Sequence, residues 1–89
     1  MTTAREARFE AEAIWAAQGI RAYLAERPQA ADTRDGIIRW WLGALWCDPR
    51  AVQRALDRLV AAGELELYLL PSGQALYRAA QNPGVESTS

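Results

Sequence analysis

The chain has no histidine, no lysine and a single cysteine, Cys47, among its 89 residues. One cysteine cannot form a disulfide within the chain, and the lack of histidine excludes a zinc site of the His/Cys type. The commonest general base is also missing, and no paired acid and base stands out in the sequence. We therefore expect a protein that is not an enzyme and that holds no metal ion or other cofactor.

Long apolar runs and an excess of positive charge are missing as well. The first fifteen residues, MTTAREARFEAEAIW, are charged and resemble neither a signal peptide nor a membrane span, so we expect a cytoplasmic protein. Ten arginines and eleven acidic residues give a net charge of -1. Without a global positive field, any binding of nucleic acid has to come from a local patch.

A helix with clear start and stop signals is predicted from Pro49 to Ala62. Asp48 can cap its N-terminus, and Pro49 suits the first helical position, where a backbone N–H is not needed. Gly63 follows as a residue that readily adopts the left-handed conformation ending a helix. The apolar residues share one face at helical spacing: Val52, Ala55, Leu56, Leu59 and Val60. The opposite face carries an arginine stripe: Arg50, Arg54 and Arg58.

A long first helix is predicted from Ala4 to Arg27, followed by a connection from Pro28 to Ala31. Its apolar residues recur at steps of three and four: Phe9, Ala13, Ala16, Ile20 and Leu24. The charges of this helix balance, and we expect them to face solvent: Glu6, Arg8, Glu10, Glu12, Arg21 and Glu26.

A second helix is predicted to start at Asp32 or Thr33, either of which can act as its cap. Its core face consists of Ile37, Ile38, Trp41, Leu42 and Leu45. Trp40 and Trp46 lie at the margins of that face. They either close the edges of a small core or form an aromatic surface for a partner, since tryptophan is favoured at interface centres.

After Gly63 the pattern alternates with a period of two, which predicts a strand with Leu65, Leu67 and Leu69 on its buried face. Pro71, Ser72 and Gly73 supply turn residues, and 75–79 can return as the partner strand. The predicted fold is mainly α with a small β-hairpin, formed by residues 1–80 as one domain, with a disordered tail at 81–89. One core is expected to contain Ile37, Trp41, Leu42, Val52, Leu56, Leu59, Leu65 and Leu67.

Three helices followed by a two-stranded hairpin resemble the winged helix-turn-helix superfamily, over about residues 33–78. The stretch is similar to small bacterial regulators in which valine, three residues, leucine, two residues, leucine and then glycine precede the wing. Here those positions are Val52, Leu56, Leu59 and Gly63. The resemblance implies three helices plus a C-terminal two-stranded wing, with the third helix as the recognition helix in the DNA major groove.

By that resemblance, the protein is a sequence-specific double-stranded DNA-binding protein and a small transcriptional regulator. Bases would be read by Arg50, Gln53 and Arg54. Phosphates would be contacted by Arg58, Arg34 and Arg39.

Three features count against DNA binding. The wing tip, 71–74, has no cation, Glu64 and Glu66 add negative charge near phosphate, and Asp57 interrupts the arginine stripe. The alternative is a winged-helix module or adaptor subunit that binds protein, using the surface of Trp40 and Trp46.

Self-association as a homodimer is also predicted, because the chain is short and has four tryptophans. The first helix is the longest element and the expected contact. Trp15 and Tyr23 are its candidate anchors.

Overall fold

The computed structural model describes residues 3–43 and 47–80. Its helices and strands are, in chain order, α1 (Ala4–Glu26), β1 (Ala31–Asp32), α2 (Arg34–Gly36), the π-helical segment π1 (Ile37–Trp41), α3 (Pro49–Ala61), β2 (Leu65–Leu69) and β3 (Ala75–Ala79). Within these residues the strands form an antiparallel sheet in the order β1, β3, β2, so the described part is mainly helical with a small sheet. The predictions for Leu45, Trp46 and the tail at 81–89 lie outside the described residues.

Local sequence signals set the ends of the long helices. Thr3 caps α1: its hydroxyl accepts the N–H of Glu6 at 3.1 Å, while the Glu6 carboxylate accepts the N–H of Thr3 at 3.0 Å. Asp48 caps α3 by accepting the N–H of Arg50 at 2.8 Å. Gly63 follows α3 with φ of +79°, a conformation that favours glycine. Both helices end one residue before the predicted position.

The core lies between α1, π1, α3 and the base of the sheet. Small and branched residues of α1 pack against the apolar face of α3, and these residues are buried: Ala13, Ala16, Ile20, Ala51, Val52, Ala55, Leu56 and Leu59. Seven of the eight predicted core residues are buried, namely Ile37, Trp41, Leu42, Val52, Leu56, Leu59 and Leu65.

The prediction that Leu67 belongs to the core is wrong. Exposure rises along β2 from 3% at Leu65 to 46% at Leu67 and 74% at Leu69, because only the base of the hairpin is covered by the helices. Tyr77, which pairs with Leu67 in the sheet, is the aromatic residue that enters the core from this level. The alternating pattern identified the apolar face of the strand correctly, but the strand extends beyond its cover.

The second helix differs from the prediction in its form. After one α-helical turn capped by Thr33, the chain continues as a π-helix, in which the N–H of Leu42 bonds to the carbonyl of Ile37 at 3.0 Å. The residues before this helix are more than a connection, because Ala31 pairs with Arg78 and adds β1 to the sheet.

Leu56→Ala is expected to lower the free energy of unfolding by about 2 to 5 kcal/mol, because Leu56 is fully buried and its truncation leaves a cavity. Urea unfolding followed by circular dichroism measures the change. Ile14→Ala on the exposed side of α1 is the control, expected to cost less than about 1 kcal/mol. Equal costs for the two variants would contradict the described core.

Candidate functional site

The arginine stripe of α3 lies against α1 rather than facing solvent alone. Arg58 forms a two-pronged ion pair with Glu10, one prong joining Nη2 to Oε1 at 2.9 Å and the other joining Nη1 to Oε2. Arg54 Nη1 lies 3.5 Å from Glu10 Oε1. The hydrogen bond from Arg58 lowers the pKa of Glu10 below its usual value. The expectation that Glu10 is merely solvated is therefore wrong.

Two further residues of α1, Phe9 and Glu12, contact α3 or the residue that caps it. The Arg54 guanidinium carbon lies 4.8 Å from the centroid of the Phe9 ring, a cation–π contact. Glu12 Oε1 accepts the backbone N–H of Asp48 at 2.8 Å. These contacts of Phe9, Glu10 and Glu12 were not expected from the sequence. Glu10 and Glu12 flank the apolar stripe of α1 in the sequence. That position indicates that they lie near the contact between helices, but it does not identify their partners.

The positive charge of Arg50 is balanced by Asp48, the residue that caps the same helix. Its side chain is 82% exposed, yet Nη2 lies 3.1 Å from Oδ2 of Asp48 and Nε lies 3.4 Å from Oδ1. The side-chain hydrogen bond from Arg50 lowers the pKa of Asp48. The Asp48 carboxylate therefore stays charged and offsets the cation at the start of α3.

Gln53 connects α3 to the sheet. Its Nε2 donates to Oδ1 of Asp57 at 2.9 Å and to the hydroxyl of Tyr77 at 3.1 Å. In this arrangement the amide donors are engaged within the domain. Reading an adenine would require them to be released.

The remaining two predicted phosphate contacts lie on the second helix. Arg34 Nε is 3.7 Å from Oδ1 of Asp35, and Arg34 shares an open cleft with Gln53 and Tyr77. Arg39 is exposed, and no ion pair of Arg39 is found within residues 3–43 and 47–80. The other predicted contacts of α3 share one open surface: Arg50, Gln53, Arg54 and Arg58.

The groove between the start of α1 and the start of α3 is electrically balanced. Its charged lining residues are four arginines and four acids: Arg5, Arg8, Arg50, Arg54, Glu6, Glu10, Glu12 and Asp48. Equal numbers of opposite charges give this surface little attraction for a phosphate backbone. The local positive patch that DNA binding requires is therefore not apparent beside the first turn of α3.

The candidate interface aromatics fall into two groups. Tyr23 stacks on Trp41 inside the domain, with ring centroids 4.9 Å apart and an angle of 7° between the rings. Trp15 on α1 and Trp40 on π1 are 56% and 67% exposed. Trp46 lies outside the described residues. Trp15 and Trp40 are thus on different helical elements, and both leave most of their surface uncovered.

No family model, curated protein or solved structure matches this chain. The resemblance to winged helix-turn-helix regulators therefore stays a prediction. In the part of the chain that the structure describes, no helix is long and apolar enough to cross a membrane. The same residues contain no group of three or more His, Cys, Asp or Glu side chains suited to a metal ion.

The ion pairs of Glu10 predict a pH-dependent stability. Its pKa is lower in the folded chain than the ordinary 4.5, so its contribution is fully present above that pH and is lost as the pH falls through the lowered pKa. The difference in unfolding free energy between the wild type and Glu10→Gln should be constant near neutral pH and shrink below about pH 4.5. Urea unfolding from about pH 6 to about pH 3 measures it.

Glu26→Gln provides the control for this titration. Glu26 is exposed, and its ion pair with Arg27 is long, at 3.8 Å. This variant should follow the wild type at every pH. A constant difference between the wild type and Glu10→Gln across the whole range would mean that the pairs do not stabilise the fold.

Proposed function

We propose that this domain is a winged-helix module that binds another protein, with Trp40 and Arg39 at the centre of its binding surface. The winged-helix arrangement is supported by the order of the elements, a helix, a short strand, two helices and a hairpin. It is also supported by β1, which pairs with β3 on the side opposite β2. In this reading β2 and β3 form the wing.

The exposure of Trp40 carries the protein-binding proposal. Trp41 beside it is buried, whereas Trp40 leaves two thirds of its surface uncovered and does not close the edge of the core. Covering a large apolar ring of this kind with a partner is favourable, because it removes apolar surface from water. Arg39 precedes it, exposed and without an ion pair in the described residues. Tryptophan and arginine are the residues most enriched at the energetic centres of protein interfaces.

DNA binding through α3 is the second candidate. It is supported by the 82% exposure of Arg50 in the first turn of α3, the position that meets base edges in a helix-turn-helix protein. For Arg50, Arg54 and Arg58 to bind phosphates or bases, their ion pairs with Asp48 and Glu10 would have to break. Each exposed pair is weak, but the carboxylates would remain beside the DNA and repel it.

A photoreactive benzoylphenylalanine at position 40 tests the protein-binding proposal in cells that make the protein. We expect a discrete crosslinked partner from position 40 and none from the same group at position 15, where a tryptophan of similar exposure lies on α1. Trp40→Ala should abolish co-purification of that partner, and Trp15→Ala should leave it unchanged.

Selection from random DNA duplexes at moderate salt is the opposing test. The protein-binding proposal predicts no enriched sequence. An enriched motif that is lost in both Arg50→Ala and Arg54→Ala, together with no crosslink at position 40, would contradict the protein-binding proposal and support DNA recognition.

A further inference from the structure

Helix α1 has two uncharged faces on opposite sides, and only one of them belongs to the core. Ala13, Ala16 and Ile20 are buried against the rest of the domain. At about 100° per residue, a second sector about 100° wide points away from them, and every charged residue of α1 lies outside it. We call this sector the outer face of α1. Its members are exposed, except for the partly exposed Ala11: Ala4, Ala7, Ala11, Ile14, Trp15, Gln18, Ala22 and Ala25.

This outer face differs from the solvent side of an ordinary surface helix. The other long helix, α3, carries the arginine stripe opposite its buried side. The centre of the outer face instead consists of Ile14 and Trp15, which leave 46% and 56% of their surface uncovered. A helix that is apolar on both sides is typical of one that is covered on both sides. The outer face is therefore a surface suited to another protein chain.

We propose that a second copy of this chain covers the outer face. Its α1 lies antiparallel to that of the first copy, across a twofold axis midway between Ile14 and Trp15. In this register every member of the face lies level with another member of the same face in the second copy, namely Ile14 with Trp15, Ala11 with Gln18, Ala7 with Ala22 and Ala4 with Ala25. The face is thus self-complementary, as a twofold contact requires.

The sizes of the side chains suit two closely packed helices. Toward both ends of the face the alanines have little bulk, which lets the two helix axes approach to about 8 Å. At the axis, Trp15 meets Trp15 of the second copy on one flank, and Ile14 meets its Ile14 on the other. An aromatic pair and an aliphatic pair are therefore buried at the centre of the contact, where binding energy is usually concentrated.

The charges on the flank beside Ile14 are complementary in the same register. A twofold contact between antiparallel helices sets each flank against the same flank of the second copy. Glu10 and Arg21 share this flank, and Glu10 of one copy lies about 3 Å along the axis from Arg21 of the other. Both side chains keep exposed surface beside Arg58 and Glu64, their partners within the domain.

The flank beside Trp15 carries charges of opposite sign as well. Its charged residues are Arg8 and Glu26, which lie at the same angle around the helix. On both flanks, the charges that come closest across the contact are therefore one acid and one arginine. This match arises from the sequence of α1 alone, and it favours a second copy of the chain over an unrelated partner.

The proposed contact refines the dimer expected from the sequence. Trp15 remains an anchor, but Tyr23 stacks on Trp41 inside the domain, and Ile14 takes its place. The contact uses α1 alone, whereas the surface proposed to bind another protein lies on π1. A photoreactive group at position 15 would therefore give only a product of two identical chains, which differs from a crosslink to the partner of the Trp40 surface.

Single cysteine substitutions test the register. The two residues at position 14 share a flank and lie about 1.5 Å apart along the helix axes, within the range that a disulfide spans. The two at position 11 lie about 10 Å apart along the axes, beyond that range. Under mild oxidation at about 100 µM protein, Ile14→Cys should form a disulfide-linked dimer. Ala11→Cys should remain mostly monomeric, as should the wild type, whose Cys47 is buried.

Sedimentation of chains without an added cysteine provides the second readout. Trp15→Glu should raise the dissociation constant about tenfold or more and leave the circular dichroism spectrum unchanged, since Trp15 is outside the core. Leu69→Glu is the matched control, because Leu69 is a more exposed apolar residue on β2, and it should leave the constant unchanged.

Three results would overturn the proposal. They are a wild-type monomer at about 0.5 mM, an equal effect of the two glutamate substitutions, and crosslinking of Ala11→Cys as complete as that of Ile14→Cys. A parallel pair of helices would produce the last result, because it brings the two positions 11 together. None of these results bears on the Trp40 surface, whose partner is tested separately by crosslinking from position 40.

Discussion

The contact between α1 and α3 determines both the core and the charge of this domain. Ala13 and Ala16 on α1 are buried, as is Ala55 on α3, and small side chains let two helices approach closely. The same contact brings Glu10 within ion-pair distance of Arg54 and Arg58. Individually these exposed pairs stabilise little. Their larger effect is that α1 supplies negative charge to the face of α3 that would otherwise be an arginine stripe.

That charge compensation changes which surfaces are available to a partner. Among the described residues, the arginines of α3 have carboxylates beside them, whereas Trp40 and the outer leucines of β2 remain uncovered. Apolar surface of this kind is typical of protein contacts rather than of contacts with a phosphate backbone. Trp40 and the outer leucines of β2 belong to different elements of the fold.

Local signals predicted the helix ends, and tertiary contacts account for the errors. Asp48, Pro49 and Gly63 act within a few residues of the end they define, so their effect could be predicted from sequence. Burial of Leu67 depends on how far the helices reach along the hairpin, which alternation along a strand does not encode. The pairing of Glu10 with Arg58 joins residues 48 positions apart, and no local pattern predicts it.

The most direct test of this account is the affinity for a random DNA duplex at low salt, compared between the wild type and Glu10→Gln. We expect the wild type to bind negligibly. The variant, with Arg54 and Arg58 released, should bind with a slope of about -2 in log K against log salt, one unit for each freed arginine. Glu26→Gln should behave as the wild type does. Tight binding by the wild type, with the same affinity and slope as Glu10→Gln, would show that the arginines of α3 were never compensated and would contradict the account.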